Sequence, residues 1–300
     1  MPRARINGIN LYYEDGGIGA PVVFIHGGFP SLAMKLQDVD EWAWTWERDF
    51  AARFHFIWYD RRGCYRSDSP ADGYALENQA RDLAALLDHL QLDSAHVIGS
   101  SAGGPIAIVF AALWPHRVRS LILAGTGLEF FPEEGDPISD IIRRQIELLD
   151  EAGVEVAFDA RPPRVQTSFE SLWRAEEEAA RGRLDTYVQH EQIRTAQAQQ
   201  VPRSDRVHFY AVELRSLQAY MDRDIRADAR QVLAPTLVLH GSDDREVPLA
   251  LGKEIAQTIP GVFLQVVPGG GHSLVHRTAE GRQRAIQFIA EQESICQTAV

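Results

Sequence analysis

The chain has 300 residues, 45% of them hydrophobic, enough for a sizeable core in one α/β domain or in a core carrying one large insertion. With 42 acidic against 30 basic residues its net charge is -12, and no Lys/Arg run stands out, which argues against nucleic acid or an anionic membrane as partner. Its two cysteines, Cys64 and Cys296, lie far apart and belong to no CxxC or Cys/His cluster, so neither a disulfide framework nor a zinc site is expected.

The opening stretch MPRARINGIN lacks the apolar h-region of a signal peptide, and no run approaches the roughly 18 apolar residues that span a bilayer. With the sparse cysteines, this sets the expectation of a cytoplasmic protein. RARINGINLYYED predicts a hairpin turning at Asn7-Gly8. PVVFIHG (21–27), FHFIWYD (54–60), AHVIGS (95–100), RSLILAG (119–125), PTLVLHG (235–241) and VFLQVVP (262–268) are short apolar runs of the kind that form buried strands.

Helical patterns separate them. ENQARDLAALLDHLQL sets Ala80, Leu83, Leu87 and Leu90 on one face, and GGPIAIVFAALWP is apolar and closed by Pro115. VPLALGKEIAQTIPG and AEGRQRAIQFIAEQE complete the alternation, which predicts an α/β fold: a mostly parallel eight-stranded sheet with helices on both faces. Residues 128–228 break the pattern. No strand-like run occurs there, and ISDIIRRQIELLDEAG and RVHFYAVELRSLQAYMDRD are helical. The expected organisation is a core of residues 1–127 and 229–300, with 128–228 as an all-helical cap over the edge where the strands end.

Strand AHVIG runs into a helix through Gly99-Ser100-Ser101-Ala102-Gly103. Glycines two residues either side let strand and helix backbones approach, and Ser101 then sits on a sharp turn with its hydroxyl pointing out. The helix behind it offers free N–H groups to a developing oxyanion, while Ser100 is expected to face the packing. A serine hydroxyl needs a base, and the base needs a carboxylate. His272, in the glycine loop after the last strand run, is the expected base, with His276 the second choice; the remaining histidines are read as structural or surface residues. Asp244, in GSDDREVP, is the expected carboxylate, with Asp243 and Glu129 as alternatives. The Ala102 N–H supplies one oxyanion donor. The second comes from FIHGGFP, with Gly28 or Phe29 in register, and His26 is expected to bond loop backbone.

These pieces resemble the α/β-hydrolase fold family. HGG, DRRGCYRSD, GSSAGG, GSDDREVP and GGGH occur in its order across most of residues 6–293. The resemblance implies a Ser-His-Asp triad of Ser101, His272 and Asp244 and says little of the substrate. The family pattern D-x-R-G-x-G-x-S has Tyr65 where its second glycine stands, which implies a rearranged loop or a ring reaching toward the pocket; Asp60 and Arg61 look like loop-fixing residues. A likeness to proline iminopeptidases extends to HGG and RRGC but fails at HGGFP, at Ala102 and in the insertion, and serine at position 101 argues against epoxide hydrolases and haloalkane dehalogenases.

The expected function is hydrolysis of a small-molecule carboxylic ester or lactone through an acyl-enzyme, with no cofactor or metal required and activity falling below about pH 6–7. A carbon–carbon bond hydrolase or an amidase on the same residues is the alternative, and a non-catalytic ligand receptor a more distant one. An apolar pocket is expected from Phe29, Leu32, Met34 and Leu36 with Phe130, Phe131, Trp173 and Tyr210. Phe29, Tyr65 and Trp173 are the substrate-binding candidates. Trp42, Trp44 and Trp46 are read as packing residues, and a homodimer is compatible with the chain.

Overall fold

The computed structural model describes residues 3–37, 47–131, 136–180, 182–221, 223–272 and 274–298; Trp42, Trp44 and Trp46 lie outside the described residues. Arg3–Ile6 (β1) and Ile9–Gly16 (β2) form the expected hairpin, with Asn7 and Gly8 at φ of 43° and 83°, the left-handed geometry its tight turn requires. The apolar runs become β3 (Pro21–Ile25), β4 (His55–Tyr59), β5 (Ala95–Ser100), β6 (Val118–Ala124), β7 (Thr236–Gly241) and β8 (Phe263–Val267).

Across one eight-stranded sheet the order is β1-β2-β4-β3-β5-β6-β7-β8. The β1–β2 and β2–β4 pairs are antiparallel, and every other pair is parallel. β3, β5 and β7 are buried at every residue, which is why they are written as continuous apolar runs.

Along the chain the helices are α1 (Leu32–Lys35), α2 (Glu47–Ala51), α3 (Leu76–His89), α4 (Gly103–Leu113), α5 (Pro137–Ala152), α6 (Val154–Asp159), α7 (Ser171–Ala180), α8 (Leu184–Gln200), α9 (Arg203–Met221), α10 (Arg226–Ala229), α11 (Leu249–Thr258), α12 (Leu274–Arg277) and α13 (Ala279–Thr298). In α3, Ala80, Leu83 and Leu87 are buried on the expected face. All of Gly103–Ala111 in α4 is buried, as its unbroken apolar sequence requires. At α5, Asp136 caps the Ser139 N–H at 2.8 Å, Pro137 occupies the first turn and Gly153 (φ 87°) ends it.

The period-2 alternation of the strands feeds two cores. Val23, Ile25 and Val97 join α3 and α4 in one, and Val22, Phe24 and Ile98 join Ile286 and Ile289 of α13 in the other. Helices α5 to α10 all fall between β6 and β7, and buried side chains of this segment, Ile142, Phe158 and Leu214 from the helices and Phe169 from the link between α6 and α7, belong to the first of these cores. Residue 276 belongs to α12, a separate short helix ahead of α13; its side chain is outside the description.

Among the described residues, no helix is long and apolar enough to cross a membrane.

Candidate active site

Ser101 follows β5 and precedes α4, and its φ of 50° places a non-glycine residue in the left-handed region. Such a backbone costs of order 1–2 kcal/mol and persists only where the surroundings enforce it. Here three bonds do: Ser101 N–H to Ala124 O (3.0 Å), Gly104 N–H to Ser101 O (2.8 Å) and Thr126 Oγ1–H to Ser101 O (2.8 Å). The glycine spacing has a steric cause. A methyl group on Gly103 would collide with the carbonyls of Ile25 and His26, and one on Gly99 would sit 2.8 Å from Ala107 Cβ and Gly103 O. Ser100 is buried, and its hydroxyl has no partner among the described residues.

Asp244 and His272 come from the loops after β7 and β8. His272 Nδ1 lies 2.8 Å from Asp244 Oδ2, and both residues are buried. The other carboxylate oxygen accepts the N–H groups of Glu246 (3.1 Å) and Val247 (2.9 Å). Asp243 is exposed and takes the Ser242 hydroxyl, while Glu129 pairs with Arg226 at 3.0 Å, so neither alternative carboxylate meets His272. His272 Nε2 is 4.0 Å from Glu246 Oε2, a neighbour that no local pattern singles out.

His240, expected to be structural, sits behind this pair. Its Nε2 donates to Val247 O (2.8 Å) and is 3.6 Å from Asp244 Oδ2, and burial pulls its pKa below the ordinary imidazole value. Gly252 leaves the space for that ring, since a methyl there would strike Nδ1.

The loop after β3 lies across the strand end from Ser101. A methyl on Gly27 would be 2.7 Å from Ser101 Cβ and 3.3 Å from its Oγ, and Gly28 adopts φ 75°. His26 Nδ1 meets Gly27 O at 2.7 Å, and its Nε2 accepts the Arg61 N–H at 3.2 Å, so His26 holds loop backbone. Arg61, fully buried, donates to the carbonyls of Gly27 (3.3 Å) and Gly28. In a planar trans peptide the N–H points opposite the C=O. A grip on Gly27 O therefore turns the Gly28 N–H away from Arg61, and the grip on Gly28 O does the same for Phe29. Phe29 is itself buried against Phe131 (ring centroids 5.8 Å apart) and Tyr220 (5.1 Å).

The rest of DRRGCYRSD supports this loop. Arg66 pairs with buried Asp60 at 2.8 Å, and Arg62 with buried Asp82 at 2.6 Å. Tyr65 occupies the left-handed region itself, at φ 37°, so it adopts the conformation for which the family pattern uses glycine. Its carbonyl accepts a bond from Lys35 Nζ at 2.7 Å, and its ring lies 5.3 Å from that of His26.

Ser101, His272, Gly27, Gly28, Phe29 and Tyr65 face one cavity of about 1360 Å³. Phe130, Phe131 and Trp173 close it from the helical segment, as expected. Tyr210 does not reach it: its hydroxyl bonds Gln145 at 2.6 Å inside the helical layer, between Phe158 and Phe169. Met34 lines the cavity, whereas Leu32 is buried away from it. The wall is also more polar than an apolar pocket, because α7 and α8 turn Arg174, Glu178, His190 and Arg194 toward it. His190 is thus a rim residue, which its place in a polar helix did not reveal.

Sheet order, strand-end loops and the left-handed serine define an α/β-hydrolase, and the family model for the alpha/beta hydrolase fold matches residues 20–277. The chain belongs to that family and is a hydrolase. It is 29% identical over 278 residues to the non-heme chloroperoxidase CPO-A1 of Kitasatospora aureofaciens, covering 89% of this chain and 90% of that protein. It is 28% identical over 291 residues to a 2-hydroxy-6-oxononadienedioate/2-hydroxy-6-oxononatrienedioate hydrolase of Burkholderia vietnamiensis, covering 93% and 90%. Among solved structures, Est816, described as an N-acyl homoserine lactone degrading enzyme, superposes with a TM-score of 0.66 at 25% identity, covering 96% of this chain and 100% of that one.

Proposed function

We propose that the protein hydrolyses a carboxylic ester or lactone with Ser101 as nucleophile, His272 as general base and Asp244 as the carboxylate that orients it. The observation that carries this reading is the left-handed Ser101 at the head of α4, sharing a cavity with a His272 whose Nδ1 is held at 2.8 Å by Asp244. With Nδ1–H donated to Asp244, Nε2 is the basic nitrogen and takes the Ser101 proton as Oγ attacks the carbonyl. The N–H groups of Ala102 and Gly28 receive the oxyanion, with Phe29 the neighbouring donor. His272 then returns the proton to the leaving oxygen, and water, deprotonated by the same nitrogen, releases the acid. Residues 128–228 serve as the cap, and Phe29, Tyr65 and Trp173 contact the substrate.

A carbon–carbon bond hydrolase on the same residues is the second reading, favoured by the likeness to the dioate hydrolase. A dioate needs cations to receive its carboxylates. Three of the four arginines lining the cavity, Arg174, Arg183 and Arg194, are instead paired with Glu170 (2.7 Å), Glu178 (2.6 Å) and Glu191 (2.9 Å); Arg245 is the fourth, one cation for two carboxylates, which favours an acyl group with at most one negative charge.

The test joins a fluorophosphonate to a substrate panel. Covalent mass gain on Ser101, and loss of several orders of magnitude in turnover of a p-nitrophenyl ester by Ser101→Ala, are expected. Undiminished turnover by that variant removes the assignment. Faster turnover of a vinylogous diketone than of any ester or lactone makes the second reading the correct one.

A further inference from the structure

The two candidate oxyanion donors stand on different elements, Gly28 on the loop after β3 and Ala102 at the head of α4. Something must fix their separation, because donors misplaced by about 1 Å can cost roughly 100-fold in rate. The loop side is gripped by Arg61, as described. The helix side is gripped by Tyr220, whose hydroxyl donates to the carbonyl of Ala102. Arg61 Nη1 in turn donates to the Tyr220 hydroxyl at 3.3 Å and to Gln79 Oε1 at 3.2 Å. The chain of bonds therefore runs from the carbonyls of Gly27 and Gly28 through the guanidinium and the phenol to Ala102. All of its side chains are buried.

Tyr220 comes from the last turn of α9, not from the core strands or loops that carry the rest of the site. Its ring meets Phe29 edge-on at 5.1 Å and Phe130 at 5.9 Å. Burial pushes its phenol pKa up to about 12, so the hydroxyl keeps its proton and remains a donor throughout the working range.

We propose that Tyr220 is a positioning residue contributed by the helical insertion, tying both walls of the oxyanion hole together through Arg61 and Ala102. The inference rests on the serine-hydrolase reading above. It makes cap and oxyanion hole one mechanical unit: a displacement of α9 at its carboxyl end pulls on Ala102 and, through Arg61, on the Gly27-Gly28 peptides. The bonds fix backbone beside the donors: Gly27 O shares its peptide with the Gly28 N–H, and Ala102 O lies on the residue whose own N–H is the second donor, so they hold in place the groups that meet developing charge.

The test is Tyr220→Phe, which keeps the ring contacts and removes the bridge. Arg61 keeps its bonds to Gln79 and to the Gly27 and Gly28 carbonyls, and only one bond to the Ala102 carbonyl is lost, so folding should survive. Expected are a fall in kcat of roughly 10- to 100-fold per fluorophosphonate-titratable site, a KM within about twofold of the parent, and an affinity loss for a boronic acid, which forms a tetrahedral adduct, that parallels kcat. A merely structural tyrosine lowers Tm and the titratable fraction but leaves kcat per titrated site and boronate affinity unchanged, and that result overturns the inference. Should Tyr220→Phe fold poorly, Gln79→Met removes the second support of Arg61 outside the cavity. A several-fold fall in kcat at constant KM then supports the bridge, and unchanged kcat overturns it. Failure of the parent protein to label at Ser101 is a separate result, which defeats the serine-hydrolase reading itself.

Discussion

Asp244 spends its two oxygens differently: Oδ2 faces His272 Nδ1 at 2.8 Å, and Oδ1 accepts two backbone N–H groups of its own loop, from Glu246 and Val247. The same carboxylate therefore shapes the loop after β7 and selects the tautomer of an imidazole 28 residues further along the chain.

Asp244→Asn separates these jobs. Its carbonyl oxygen can still accept from the loop, while its NH2 now faces Nδ1 and favours the wrong tautomer. We expect kcat to fall roughly 10⁴-fold with the fold retained. Steady-state kinetics beside a thermal melt checks this, and kcat within tenfold of the parent would show that Asp244 does not orient the base.

Position 65 offers a test of backbone strain. Tyr65 sits at φ 37°, where a Cβ is disfavoured. Tyr65→Ala and Tyr65→Gly both lose the ring against His26, but only glycine relaxes the backbone. Urea unfolding should find the glycine variant the more stable by about 1 kcal/mol, the reverse of the usual order of these residues. Equal stabilities, or alanine ahead, would mean that the loop relaxes around either residue.

Glu213, fully buried on α9, accepts the Ser168 hydroxyl (2.6 Å) and the Phe169 N–H (2.8 Å). Burial outweighs these donors and pushes its pKa well above the usual 4.5. Below that value the carboxyl is protonated in folded and unfolded chains alike, and its contribution to stability is complete. As pH rises beyond it the unfolded chain loses the proton while the folded one keeps it, so this contribution declines until the folded pKa is passed. Glu213→Gln retains an acceptor and cannot titrate. Its Tm should therefore decline less than the parent's between pH 5 and about pH 8; parallel curves would show that the carboxyl is ionised in the fold.

Gly103→Ala should be among the most damaging single-methyl changes, because the new atom meets the carbonyls of Ile25 and His26 and no flexible side chain can yield. A loss of about 3 kcal/mol or more is expected from chemical denaturation, above the usual range for overpacking. A loss under about 1 kcal/mol would mean that α4 can slide away from β3 at little cost.

The strands, the serine turn and the Asp244–His272 pair were legible because each rests on a local pattern: a continuous apolar run, two glycines about a serine, a carboxylate or an imidazole just past a strand. What escaped depends on tertiary placement. Nothing local distinguishes Tyr220 from Tyr210, two residues of the same helix, yet one meets Ala102 and Arg61 in the core and the other bonds Gln145 inside the helical layer. The polar wall was missed for a related reason: α8 is polar almost all round, so periodicity could not say that Thr186, Tyr187, His190, Glu191 and Arg194 are residues that face the cavity. Glu246 lies beside His272 through the course of one turn, and its neighbours in sequence do not betray that.

The helical segment leaves the sheet after β6 and rejoins it at β7, two strands that lie side by side. Such an arrangement lets one contiguous stretch be exchanged between relatives, or shuffled in the laboratory, without disturbing the weave of the strands. The hydroxyl at position 220 limits that modularity: a donor graft has to bring its own link to Ala102 just before the chain returns to the sheet.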